Sequence, residues 1–298
     1  MIASRQSLKA GGALVLAAML VFGCGDRRRM PELYFEVHGS GTPTIVIDTG
    51  FGETFQTWEE IIPQLAQLST VFVYERAGYG RSEPGHFPRH ARRVAHDLHY
   101  CLTTNKVPGP YLLVGHSLGA MNLQVFAADY PDQVAGLLLL DPPPLAWLRG
   151  QGFPELRELA NRQSWEMNQA ALELLDSGDP RQQGEGLFYK TLASEHNEML
   201  NISANIVSNI GSYGNLPLVL LAAGQPNPAF GEYAESFQQF WIEQSRLVAE
   251  KSTCGGFRLL TESGHHLQQE APAAIVTALE QLLAEIRTRK NENTTSLD

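Results

Sequence analysis

The stretch "GPYLLVGHSLGAMNLQVFAADYP" (109–131) carries the strongest structural signal in the chain. Its residues 111–116 form a continuous apolar run, which predicts a buried strand. Residues 118–130 follow with the composition of a helix, which Pro131 ends. The stretch therefore predicts a strand that turns sharply into a helix.

Ser117 stands at this junction, with Gly115 and Gly119 on either side in a G-x-S-x-G pattern. A turn this sharp strains the serine backbone and raises the hydroxyl above the edge of the sheet. Small residues are needed where the strand and the helix nearly touch. The N-terminus of the helix also favours negative charge on a bound oxygen. These features make Ser117 the candidate nucleophile.

From Leu33 to about residue 289, short apolar runs alternate with helical segments. This alternation predicts an α/β fold with a mostly parallel central sheet flanked by helices. Residues 145–214 break the pattern, because they are polar and helical with no convincing strand. Insertions of this length are commonly functional, so we expect a helical lid at 145–214 on a core of residues 33–144 and 215–289.

Strands are predicted within residues 44–50, 70–82, 111–116, 134–144, 216–224 and 257–266. Helices are predicted at residues 53–68, 89–105, 118–130, 232–250 and 271–289, before a disordered tail at 290–298.

In the Ser117 turn, and over about residues 33–289, the chain resembles the α/β-hydrolase superfamily, in particular its serine-nucleophile, esterase-like members. The resemblance implies the α/β-hydrolase fold and a catalytic base after the last strand. "ESGHHLQQEAP" (262–272) is similar to the family's turn of glycine, histidine and an apolar residue before an acid and proline. The catalytic histidine therefore maps onto His265, without which a serine hydroxyl is a weak nucleophile.

The acid that orients this histidine has several candidates. Most relatives carry it after the penultimate strand, where this chain reads "AAGQPNPAFGEY" without an aspartate. Some carry it after the strand that follows the nucleophile helix, and Asp141 in "LLLLDPPP" stands there. Asp141 is the preferred candidate, because a triad is recognised by the roles of its members and not by chain order. Glu232, Glu235 and a site without an acid are the alternatives.

Two backbone N–H groups should form the oxyanion hole. One belongs to Leu118, directly after the nucleophile. The resemblance places the other where the family carries H-G-x and this chain reads Thr49-Gly50-Phe51, so the donor is the Phe51 amide. The threonine in place of histidine leaves this backbone donor intact.

The N-terminal segment reads as a lipoprotein-type signal peptide over residues 1–23. Two basic residues precede an uncharged run at 10–22, which is too short to span a bilayer. The run ends in "VFGC", which resembles the lipobox of bacterial lipoproteins. That resemblance implies a lipid on Cys24, a linker at 24–32 and attachment to a membrane of the bacterial cell envelope, on its periplasmic or outer face. An ordinary secretory signal is the alternative.

Composition excludes other classes of function. The formal net charge of −10 argues against binding to nucleic acid, which needs a basic surface. No phosphate-binding glycine motif occurs, and the histidines between residues 86 and 99 match no metal motif, so neither a cofactor nor a metal is expected. In an oxidising envelope Cys101 and Cys254 could pair or remain separate thiols.

Together these residues predict an enzyme that cleaves an ester or related acyl bond of a small molecule through Ser117, His265 and Asp141. The serine argues against epoxide hydrolases and haloalkane dehalogenases of this fold, which need an aspartate nucleophile. Thioesterase, lactonase, amidase and C–C hydrolase activities stay open, because the fold does not choose the substrate. The alternative is a non-catalytic lipoprotein that uses the fold as a binding or scaffold module.

Overall fold

A computed structural model describes residues 29–295 of the chain, and its centre is a seven-stranded sheet. The spatial order of the strands is β1-β3-β2-β4-β5-β6-β7, in which only β1 runs antiparallel to its neighbour. The strands are β1 Phe35–His38, β2 Thr44–Asp48, β3 Val71–Tyr74, β4 Tyr111–His116, β5 Val134–Leu140, β6 Leu218–Ala223 and β7 Gly255–Leu260.

Helices connect these strands and cover both faces of the sheet. They are α1 Ile62–Leu68, α2 Ala91–Thr104, α3 Leu118–Asp129, α4 Leu145–Leu148, α5 Pro154–Asp176, α6 Pro180–Glu198, α7 Ala204–Ser208, α8 Ala234–Ala249, α9 Leu267–Glu270 and α10 Pro272–Thr295. Short 3-10 helices occupy Phe55–Trp58, Pro131–Gln133 and Pro228–Tyr233, and a π-helical turn occupies Met199–Ser203. This arrangement confirms the predicted α/β class, with a mostly parallel central sheet flanked by helices.

The core has two halves, one on each face of the sheet. Successive side chains of a strand point to opposite faces, so Val46 packs in the half that contains Phe126 of α3, together with α2 and α8. Its neighbour Ile47 packs in the other half against Leu279 of α10, together with α1. Because both faces are covered, the central strands β2 and β4 are buried along their whole length.

The segment between β5 and β6 consists of helices α4 to α7, and α5 and α6 pack against each other. In the described chain, no strand lies between residues 141 and 213. This insertion begins at the carboxyl end of β5, at the edge of the sheet where Ser117 lies, and returns to the amino end of β6 at the opposite edge.

The ends of the chain differ from the sequence prediction in one respect. Helix α10 continues to Thr295, past its predicted end at residue 289, since residues 290–295 include no glycine or proline that would stop it. The signal peptide and Cys24 lie outside the described residues. Among residues 29–295, none of the helices is both long and apolar enough to cross a bilayer. Cys101 and Cys254 do not form a disulfide, and both are free thiols.

Candidate active site

The turn between β4 and α3 holds Ser117 in a strained conformation, with φ 51° and ψ −116°. Its glycines are required by contact: a Cβ on Gly115 would lie 2.6 Å from the backbone nitrogen of Ala120. A Cβ on Gly119 would lie 2.2 Å from the carbonyl oxygen of Asp48. Ser117 is partly exposed, although His116 and Leu118 beside it are buried. The turn therefore presents one hydroxyl at the edge of the sheet.

Asp141 follows β5, the strand next to β4, and its conformation is fixed by the sheet. Its N–H donates to the carbonyl of Leu221 at 2.8 Å, and its Oδ1 accepts the Ala223 N–H at 3.1 Å. The other carboxylate oxygen, Oδ2, lies 2.6 Å from Nδ1 of His265. The carboxylate is buried, so a strong hydrogen bond to His265 compensates for its removal from water.

His265 lies in the loop after β7, with about a quarter of its side chain exposed. Burial disfavours its charged form, but the hydrogen bond and charge of Asp141, with the charges of Glu53 and Glu270, outweigh this effect and raise the pKa of His265 above its ordinary value. Because Nδ1 faces the carboxylate, Nε2 is the ring nitrogen left to exchange a proton with another group.

The structure thus brings Ser117, Asp141 and His265 to the carboxyl edge of the parallel strands β4, β5 and β7. The Ser117 N–H donates to the Leu140 carbonyl at 2.9 Å, which joins the two loops directly. The alternative acids Glu232 and Glu235 are both exposed, and Asp141 is the residue that pairs with Nδ1 of His265.

The two amides expected to bind an oxyanion also lie at this edge. Strand β2 is the direct neighbour of β4, with Asp48 opposite Gly115 in the register. Phe51 follows β2 in a loop at residues 49–52, and Leu118 is the first residue of α3. The first amides of a helix have no carbonyl one turn earlier to bond with, so the Leu118 N–H is available to a ligand.

Glu53 joins this loop to the histidines, a role that sequence reasoning missed. Its Oε2 accepts the Gly50 N–H at 3.0 Å and lies 3.2 Å from Nδ1 of His116. Its Oε1 lies 3.0 Å from Nδ1 of His266. Burial raises the pKa of Glu53, but the hydrogen bond and charge of His116, the Gly50 N–H and the charge of His266 together lower it to about 2. His116 Nε2 in turn lies 2.9 Å from the His265 carbonyl oxygen, so Glu53 and His116 join the loop at residues 49–52 to the backbone of His265.

A cavity of about 490 Å³ adjoins the Asp141–His265 pair. The loop at 225–230 and Trp241 of α8 form its other walls. The ring of Trp241 packs edge-on against His265, with the ring centroids 5.5 Å apart. This space is large enough for part of a small organic molecule.

A second serine–histidine pair lies in the insertion. Ser164 Oγ of α5 is 2.6 Å from Nδ1 of His196 of α6, and both side chains are buried. Burial lowers the pKa of His196 to about 4, so its ring is a weak base at neutral pH. We therefore interpret this hydrogen bond as a structural contact between α5 and α6, and not as a reactive serine–histidine pair.

The chain was compared with known proteins by sequence. A family model described as the α/β-hydrolase fold matches residues 43–168. The protein YqjL of Bacillus subtilis, whose function is uncharacterized, is 23% identical over 81% of this chain and 83% of its own length. The putative carbamate hydrolase RutD of Azorhizobium caulinodans is 32% identical, but the match covers only 41% of this chain and 44% of RutD.

A comparison of structures agrees with these matches. A thermophilic esterase from Thermogutta terrifontis superposes with a TM-score of 0.61, over 86% of this chain and 94% of the esterase, at 20% sequence identity. Structural similarity at this level of sequence identity shows the fold. The family model covers the part of the chain that includes the Ser117 turn and Asp141. The chain therefore has the α/β-hydrolase fold, and its residues 43–168 match the model of that family.

Proposed function

We propose that the chain is a serine hydrolase that cleaves an ester or related acyl bond of a small molecule, with Ser117, His265 and Asp141 as its catalytic residues. The observation that carries the proposal is the 2.6 Å contact between Asp141 Oδ2 and His265 Nδ1 at the same sheet edge as the strained Ser117. The acid sits where a carboxylate can hold the neutral ring with its proton on Nδ1, which leaves Nε2 as the base.

In the first half of the reaction, Ser117 Oγ attacks the acyl carbon and its proton moves to His265 Nε2. The carbonyl oxygen becomes an oxyanion that accepts hydrogen bonds from the Phe51 and Leu118 amides. The tetrahedral intermediate collapses, the bond to the leaving group breaks, and Nε2 returns its proton to that group. Asp141 stays ionised and stabilises the imidazolium while it exists.

In the second half, water replaces the leaving group. His265 Nε2 takes a proton from the water as its oxygen attacks the acyl carbon, and the second tetrahedral intermediate uses the same two amides. Its collapse breaks the bond to Ser117 Oγ, which regains the proton from Nε2. The acid product then leaves. The helical insertion at 145–214 would act as a lid that shapes the space for the acyl group or the alcohol.

A fluorophosphonate probe tests the nucleophile, because it reacts covalently with an activated serine. We expect labelling of the wild type at Ser117, found by peptide mapping, and none in Ser117→Ala. Ser164→Ala is the matched control, since Ser164 also contacts a histidine, and it should label like the wild type. Equal labelling of Ser117→Ala would contradict the assignment, and folded wild-type protein that does not react would favour a binding or scaffold module.

The substrate class needs a separate measurement. Esters, thioesters and lactones of graded acyl size should be compared by kcat/KM, and we expect esters to be cleaved fastest. If the protein reacts with the probe but prefers thioesters or lactones, the three proposed catalytic residues stand and only the proposed substrate class changes.

We further propose that Cys24 carries a lipid that attaches the enzyme to a membrane of the bacterial cell envelope. The support is the sequence: an apolar run at residues 10–22 followed by "VFGC". Cells supplied with a labelled fatty acid should tag the wild type and not Cys24→Ala. Equal labelling of the two proteins, or none of either, would rule out the anchor.

A further inference from the structure

A buried ionic cluster connects the helical insertion to the loop that carries the Phe51 amide. Arg76 lies at its centre, between Asp48 at the end of β2 and Glu195 of α6, with nitrogen–oxygen distances of 2.8 and 3.2 Å. All three side chains are buried. Burial disfavours the charged guanidinium, yet Glu195 and Asp48 raise the pKa of Arg76 well above its ordinary value, so the arginine stays charged.

This cluster holds the peptide groups of the loop at residues 49–52. Arg76 Nη1 donates to the Thr49 carbonyl at 2.7 Å, and Nη2 donates to the Gly50 carbonyl at 2.8 Å. On the far side of Phe51, the Gly52 N–H donates to the hydroxyl of Tyr79 at 3.3 Å. The Phe51 amide is therefore flanked on both sides by groups held in place by Arg76 and Tyr79.

Glu195 contacts both of these side chains. Its Oε1 accepts from Arg76 Nε at 3.2 Å, and its Oε2 accepts from the Tyr79 hydroxyl at 2.6 Å. Because Tyr79 donates its proton to Glu195, its oxygen is left to accept the Gly52 N–H. The next residue of α6, His196, packs its ring against Phe51 with centroids 5.3 Å apart.

Helix α6 packs closely against the segment that carries Arg76 and Tyr79. A Cβ on Gly78 would lie 2.4 Å from Oγ1 of Thr191 on α6. The ring of Tyr79 also packs edge-on against Phe188 of α6, with centroids 5.5 Å apart. A displacement of α6 would thus be passed to Tyr79 and Arg76.

We infer that Glu195 is a positioning residue for the oxyanion hole. Through Glu195, the insertion sets the position of the Phe51 amide. This inference rests on the proposed function, because it concerns the same reaction. Glu195 touches neither the substrate nor the reacting atoms and acts through Tyr79 and Arg76. The insertion is then part of the catalytic apparatus as well as a cover over the site.

Glu195→Gln changes this arrangement with little change in volume. An amide nitrogen in place of Oε2 donates to the Tyr79 oxygen, where the carboxylate accepted, and so competes with the Gly52 N–H. Arg76 also loses one of its two buried counter-charges. Both effects release the loop around Phe51, and a displaced oxyanion donor weakens binding of the transition state more than that of the substrate.

The test compares steady-state hydrolysis of a p-nitrophenyl ester with inhibition by a trifluoromethyl ketone, which forms a tetrahedral adduct on the serine. For Glu195→Gln we expect kcat to fall about 10- to 100-fold and the inhibition constant to rise by a similar factor, with KM nearly unchanged. Glu198→Gln is the matched control, because Glu198 is a buried carboxylate of the same helix outside the cluster, and it should keep wild-type values.

Tyr79→Phe is the second variant and is decisive if Glu195→Gln does not fold. It removes only the hydroxyl between Glu195 and Gly52, so it should show a smaller loss with the same pattern. Unchanged inhibition by the ketone in the variants that fold overturns the inference, as does an equal loss in Glu198→Gln. If the wild-type protein forms no adduct with the ketone and Ser117→Ala behaves in the same way, the proposed function is overturned as well.

Discussion

His265 Nδ1 lies 2.6 Å from Asp141 Oδ2, although 124 positions separate the two residues along the chain. The contact depends on the sheet: Asp141 is fixed at the end of β5 by bonds to β6, and the loop after β7 brings His265 over it. An acid held by the backbone of two strands has little freedom to move away from its histidine.

Replacing this acid should separate catalysis from folding. For Asp141→Asn we expect kcat/KM to fall by about four orders of magnitude, because the amide favours the wrong tautomer of His265. The protein should remain folded, since asparagine has nearly the same shape. Ester hydrolysis and circular dichroism measure the two effects. Asp129→Asn, at a partly exposed ion pair with Arg92, is the control, and near-normal turnover of Asp141→Asn would refute the role of the acid.

The pH dependence of kcat/KM should report the pKa of His265. The ring must be neutral to take the proton of Ser117, so activity should rise with pH through this pKa. The contact with Asp141 raises the pKa, and Asp141→Asn should therefore move the acid limb of the profile to lower pH. Profiles of wild type and variant between pH 4 and 9 check the sign, and an acid limb that stays in place would contradict it.

Gly119 should tolerate no side chain. In Gly119→Ala the Cβ would lie 2.2 Å from the Asp48 carbonyl oxygen, so we expect a loss of about 3 kcal/mol in the free energy of unfolding. Gly184→Ala in α6 is the control, because nothing lies within 4 Å of its Cβ, and it should gain up to about 1 kcal/mol. Urea titrations measure both variants. Equal stability of the two variants would show that the turn between β4 and α3 relaxes around the methyl group.

Glu53 should stabilise the fold at neutral pH and lose this effect in acid. Its pKa in the folded protein, about 2, lies below its ordinary value of 4.5. Glu53 therefore contributes up to about 3 kcal/mol to the free energy of unfolding. This contribution is complete above about pH 5 and disappears as the pH falls towards 2. The difference in unfolding free energy between wild type and Glu53→Gln should shrink over that range. A difference that does not change with pH would contradict the assignment.

The two thiols in the described part of the chain should react at different rates. Burial raises the pKa of Cys101 to about 11, so only about one molecule in a thousand carries its thiolate at pH 8. Cys254 is half-buried and more accessible. Iodoacetamide should therefore modify Cys254 first, as peptide mapping can show, and both at similar rates in urea. Equal rates in the folded protein would mean that α2 opens readily.

Some of this site could be predicted from the sequence because its signals are local. The turn around Ser117 is encoded by consecutive residues, and the predicted strand at 111–116 coincides with β4. His265 follows directly after the last strand, at a place that the order of elements indicates. The choice of acid was harder, since Asp141 and Glu232 both follow strands and only the approach of the loop after β7 decides between them.

The residues that brace the site carried no such signal. Glu53 and Glu195 lie in segments with the composition of ordinary surface helices or loops, and their partners are 63 and 119 positions away. A glutamate is expected to face water unless it is paired. Its burial here depends on Arg76, His116 and Tyr79, which only the folded chain brings together.

The position of the acid at the end of β5 has a consequence for how this enzyme can diversify. The loop at 225–230 forms a wall of the cavity beside His265, and the carboxylate that pairs with His265 belongs to Asp141 of another loop. Under the proposed assignment, changes in the length and residues of this loop would remove no catalytic group. A library randomised over this loop would change the shape of the cavity and leave Ser117, Asp141 and His265 in place.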